Sequence, residues 1–74
     1  MLSETVTVVD KRTHVYGQSG NSSTRYFVTF ELPDRNRLEF RVIGTVYGQL
    51  TAGDTGVLTW RGTWFKGFQR EILR

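Results

Sequence analysis

The sequence predicts a small all-β domain: a five-stranded, partly open barrel of OB-like order, with one short helical turn between strands three and four. Three observations predict it. Apolar and polar residues alternate over two neighbouring stretches joined by a proline-led turn. β-branched and aromatic residues fill the runs between turns, and glycines punctuate them. The pieces follow one another as a three-strand meander, a segment without alternation, and a closing hairpin. An SH3-like barrel, the second choice, places its helical turn before the last strand instead.

The 74 residues suffice for one domain, 1–74, with no linker, repeat or low-complexity segment. There is no cysteine, so neither disulfides nor thiolate metal sites hold the fold and the apolar core must do so. The net charge of +3 makes the chain only mildly basic, which permits an anionic partner without demanding one. Eight of the ten cations are arginines, the residue suited to planar and stacked contacts.

Thr5-Val6-Thr7-Val8-Val9 is β-branched throughout and begins the first strand. Its alternation slips at Val8-Val9, because Val6 and Val8 share one face while Val9, Thr13 and Val15 share the other; a bulge there accounts for the slip. Gly17 to Ser23 is polar and glycine-rich and reads as a mobile loop. From Thr24 to Leu32, Tyr26, Val28, Phe30 and Leu32 alternate with Arg25, Phe27, Thr29 and Glu31. Pro33-Asp34-Arg35-Asn36 turns the chain, with Asn36 expected in the left-handed conformation. Leu38, Phe40 and Val42 then resume the inward face, and the hairpin sets Glu31 beside Arg37 as a cross-strand ion pair.

Thr45 to Leu50 loses the alternation and predicts one helical turn capped by Thr45, with Val46 or Tyr47 meeting Leu50. Ala52 to Gly56 is a tight turn in which Gly53 and Gly56 accept positive φ. Val57 to Trp60 is the fourth strand, with Leu58 and Trp60 inward, and Arg61-Gly62-Thr63 leads into the fifth, Trp64 to Arg70. Gly67 suggests a bulge in that strand, and whether Trp64 or Phe65 points inward depends on it.

Val9-Asp10-Lys11-Arg12, Tyr26 to Glu31, Glu39 to Val42, Tyr47-Gly48, Gly53 to Thr59, Gly62-Thr63 and Gly67-Phe68 carry a resemblance over nearly the whole chain. In them the sequence resembles the bacterial YhhM/YflH-like family of small domains of unknown function. The resemblance implies a small β-barrel, often tethered in relatives by an N-terminal membrane segment, and it supplies no catalytic or cofactor-binding residues. The chain as written reads as soluble, with a membrane entering only through a segment absent from it.

Catalytic patterns fail on inspection. His14 is the only histidine, and no carboxylates stand at metal-ligand spacing from it. Asp10 and Glu39 read as solvated partners of arginines rather than an acid/base pair. Neither a phosphate-cradling Gly-Lys-Ser/Thr loop nor a nucleophile elbow is present. The expectation is a non-catalytic protein, without cofactor or metal, that works by contact.

The candidate contact surface consists of Arg25, Phe27, Arg41, Arg61, Trp64, Lys66 and Arg70. Phe27 is expected on the outward face between Arg25 and Arg41, with Trp64 and Lys66 extending that surface. Aromatic and arginine-rich patches beside an edge strand suit a protein partner, which is the preferred reading. The alternative is single-stranded nucleic acid, its bases stacked on Phe27 and Trp64. The bland alternative for both rings is packing under the Gly17–Ser23 loop or the C-terminal tail.

Overall fold

In the computed structural model, which describes residues 1–18 and 20–71, the chain forms five strands and one short helix. The strands are β1 (Leu2–Gln18), β2 (Asn21–Glu31), β3 (Arg37–Val42), β4 (Thr55–Arg61) and β5 (Trp64–Arg70); α1 (Gly44–Gln49) joins β3 to β4. All pairings are antiparallel, in the order β3-β2-β1-β4-β5. No ladder joins β3 to β5, so the sheet is not closed.

One irregularity lets β1 serve two neighbours. Its register against β2 steps between Val8 and Asp10, which leaves Val9 as the bulged residue the alternation foretold. Before the bulge, Leu2 to Thr7 pairs with β4; from Thr7 onward β1 pairs with β2. The bulge also returns Lys11 to the face of Val8, opposite Val28. The Lys11 ammonium donates to the Leu50 carbonyl and lies 4.2 Å from the Tyr47 ring centroid, so this inward-leaning cation is satisfied.

The core is Val6, Val8, Val28, Phe30, Phe40, Val42, Leu50, Leu58 and Trp60. Phe30 is its centre: fully buried, it meets the rings of Phe40 at 6.1 Å, Phe65 at 6.2 Å and Phe68 at 5.6 Å. Those separations fall in the range where aromatic pairs add to simple burial. α1 leans Val46 and Tyr47 on this core, and Tyr47 meets Tyr26 at 5.0 Å. Among the described residues no helix is long and apolar enough to cross a membrane.

Four local expectations are corrected. The stretch from Gly17 to Ser23 is not a loop, because β1 and β2 stay paired out to Gln18 and Asn21. Polar residues suit this two-stranded ribbon because β3 and β4 do not extend along it; Ser19 lies outside the described residues. In the β2–β3 turn Arg35, not Asn36, has positive φ (71°). Asn36 is held instead by Asp34, through its backbone N–H at 3.0 Å and its side-chain amide at 2.8 Å. The cap of α1 is Ile43, with no side-chain capping bond, rather than Thr45. Gly53 has positive φ (99°), but Gly56 does not; at Gly56 the close backbone of β5 leaves no space for a side chain. The Glu31–Arg37 pair forms as expected, at 3.2 Å.

Candidate functional site

A second bulge decides which ring of Trp64-Phe65 faces solvent. The β4–β5 register steps from Thr59↔Gly67 to Trp60↔Phe65, leaving Lys66 as the extra residue next to Gly67. Phe65 therefore shares the inward face of Trp60 and packs on Phe30, while Trp64 stands opposite Arg61 on the outer face. Trp64 is 71% exposed.

Beside Trp64 runs an open groove of about 830 Å³. Because β3 and β5 are unpaired edges, the C-terminal end of β3 and the N-terminal end of β5 stand apart as its two walls. β2 contributes Arg25 and Tyr26, and β3 contributes Arg41 and Val42. Ile43 and Val46 enter from the start of α1, and Trp64, Phe65 and Lys66 from β5. A smaller hollow on the same side adds Arg61, sharing Trp64 and Lys66 with the groove. Ile43 is 69% exposed, so two large apolar side chains border the groove.

The electrostatics are one-sided. Among the described residues, no aspartate or glutamate lines either hollow. Among the described residues, Arg25, Arg41, Arg61 and Lys66 form no ion pair, whereas Arg12, Arg37 and Arg70 each hold a carboxylate. Arg25 is braced from below: it donates to the Tyr16 hydroxyl at 2.9 Å and lies 4.4 Å from that ring centroid.

Of the seven sequence-predicted residues, five come together here: Arg25, Arg41, Arg61, Trp64 and Lys66. Phe27 does not. Its ring is half-buried and lies 4.2 Å from the Arg12 guanidinium, which roofs it. Glu39 fixes that roof by accepting from Arg12 Nε at 2.7 Å and from Nη2 at 2.9 Å. Arg12 escaped sequence reading because only the bulge at Val9 brings it opposite Phe27. Packing beneath the Gly17–Ser23 loop is thereby excluded for Phe27; the tail beyond Glu71 lies outside the described residues.

Arg70 is also not part of the groove. It donates to Asp54 Oδ2 at 2.9 Å and to the Gln49 carbonyl, tying the end of β5 to the turn before β4. Asp54 in turn accepts from the Thr51 N–H at 2.9 Å, so this cluster organises the chain reversal. Ile43 was missed, although an apolar residue following directly on Val42 breaks the alternation of β3 and marked it.

The Arg12–Glu39 fork has a consequence for pH. The hydrogen bonds from Arg12 hold the Glu39 carboxyl below its ordinary value, opposed by partial desolvation. A carboxyl lowered on folding stabilises the native state above its unfolded pKa, and that contribution is lost as pH falls through the folded value. Glu39→Gln is therefore expected to lose less stability than the wild type on acidification from pH ~6 to pH ~3, in a window below the ordinary glutamate pKa of about 4.3. The difference is small, because both side chains are substantially exposed. Parallel urea melts of the two proteins at each pH measure it; equal acid losses would show that the fork does not persist in solution.

Comparison with known proteins places this geometry in a family. The family model described as protein of unknown function (DUF2500) matches residues 1–69. A crystal structure of a DUF2500 protein from Klebsiella pneumoniae is similar to the chain at TM-score 0.85 and 30% identity, covering 99% of this chain and 100% of that one. A crystal structure from Proteus penneri shares the fold at TM-score 0.85 and 24% identity, covering 97% and 96%. No curated protein matches. The YhhM/YflH-like assignment is thereby corrected: the quoted motifs are strand and turn residues, which fit the shape of a small sheet more than the identity of a family.

Proposed function

Starting from the fact that the chain belongs to the DUF2500 family, we propose that it is a non-catalytic interaction module that binds a protein partner through the groove beside Trp64. The observation that carries this reading is the pairing of a 71% exposed tryptophan with four cations that, among the described residues, have no carboxylate partner. Tryptophan and arginine are the residues most often found at the energetic centre of protein contacts. Among the described residues, the lining supplies no carboxylate, histidine or cysteine to move a proton or attack a substrate, which favours contact over chemistry. We read the curled, unclosed sheet as OB-like; the strand order and the helix between β3 and β4 support it.

Single-stranded nucleic acid is the weaker reading, because of the two rings offered for stacking Phe27 is roofed by Arg12, which leaves Trp64. Short single-stranded DNA is expected to bind weakly and without saturation. Saturable binding with a linear log–log salt dependence, abolished by Arg41→Ala, would reverse the order of the two readings.

Site-specific photo-crosslinking in the host cell tests the main proposal. A benzoylphenylalanine at position 63, exposed beside Trp64 in the lining of both hollows, is expected to give discrete protein adducts, and one at position 35, in the exposed β2–β3 turn, none. Adducts at position 35 but not at 63, or none at either, contradict it.

A further inference from the structure

We infer that the groove's occupant is an acidic, extended segment of the partner, with one bulky apolar side chain seated between Ile43 and Trp64 and carboxylates on either side of it. This rests on the interaction reading above and names the chemistry of its partner. Shape supports it first. The groove is concave, with Tyr26, Val42 and Phe65 among its lining, so it accepts an inserted side chain. A bilayer surface calls for a projecting apolar face instead.

Charge supports it second. Arg25 and Arg41 stand on the β2–β3 wall, and Lys66 with Arg61 on the hairpin wall. An apolar anchor between those walls therefore has cations on both sides, and an acidic flank to each side meets one pair. Among the described residues, no carboxylate of the groove opposes it. The aromatic content supports it third: of the three rings lining the groove, Tyr26 and Phe65 are partly buried and Trp64 alone is exposed, which provides an anchor contact rather than the succession of open stacking faces that a run of bases uses.

Three probes test the inference on the intact chain: a synthetic peptide with one Phe between pairs of Glu, an oligothymidine, and vesicles of phosphatidylglycerol mixed with phosphatidylcholine. The peptide is expected to bind saturably, followed by Trp64 fluorescence or calorimetry, and to weaken as salt is raised from about 0.05 M to about 0.3 M. Trp64→Ala and Arg41→Glu are each expected to weaken it at least about tenfold. Both residues are exposed, so the variants should melt as the wild type does.

Two peptide variants make the same test without touching the protein. Replacing the peptide's Phe by Ala, or its Glu residues by Gln, should each abolish binding. Binding of the peptide that ignores Trp64→Ala and Arg41→Glu overturns the inference. So does its absence, whether the other probes bind or not. Oligothymidine or vesicles binding in a Trp64-dependent manner would keep the groove as a contact surface and replace its occupant. Failure of the interaction reading itself shows separately, as the missing adducts at position 63.

Discussion

Phe30→Ala is expected to lower the unfolding free energy by about 3–5 kcal/mol, as truncation of a large, fully buried ring does. Phe30 is the ring on which the two halves of the sheet meet. It projects from β2, with Phe40 beside it on β3, and it touches Phe65 and Phe68 on β5 across the line where β3 and β5 remain unpaired. With no ladder between those strands, aromatic packing is what holds them together. The loss is large against the total of about 4–11 kcal/mol expected for a domain of this size, so the variant should be marginal at physiological temperature. Urea melts monitored by tryptophan fluorescence measure it. A loss below ~1 kcal/mol would mean that this ring does not lie at the centre of the core.

The second large effect is expected at Gly56. A Cβ at this buried position would lie inside van der Waals contact with the Gln69 carbonyl oxygen, 2.9 Å from Arg70 Cα and 2.8 Å from the Phe68 ring. Two of those three obstacles are backbone, so no rotamer change relieves them; β4 and β5 must separate. Gly56→Ala is expected to cost at least about 2 kcal/mol, in the upper part of the range for overpacked sites. The loss should appear as faster hydrogen exchange at amides of the β4–β5 ladder. A Gly56→Ala protein within ~0.5 kcal/mol of the wild type, with exchange unchanged, would contradict the described approach of the two strands.

Much of this architecture was legible in the residues. Between Thr24 and Val42 two strict alternations flank a proline-led turn, and the observed register pairs Glu31 with Arg37 accordingly. The slip at Val8-Val9 located the first bulge, because a residue on the wrong face is visible as a broken period. What stayed hidden depended on register offsets that the period alone does not specify. Trp64-Phe65 is two adjacent rings, and only the extra residue at Lys66 decides which is inside. Phe27 looked like an open platform, because the cation that covers it lies fifteen positions earlier and reaches it only through the bulged β1. Arg70 read as a surface cation, although it ties the last strand to the turn before β4. The groove itself is a product of two unpaired edges, and a linear pattern does not show where a sheet fails to close.

In the proposed function, contact with the partner runs through the groove between Ile43 and Trp64. Amide chemical-shift mapping of the labelled chain during titration with the Glu-flanked Phe peptide tests it most directly. The predicted result is a contiguous set of shifts at Arg25, Tyr26, Arg41 to Gly44 and Trp64 to Lys66, with Asp34 to Arg37 and Asp54 undisturbed. Shifts centred on Phe27 and Arg12, or spread evenly over the exposed cations, would contradict it.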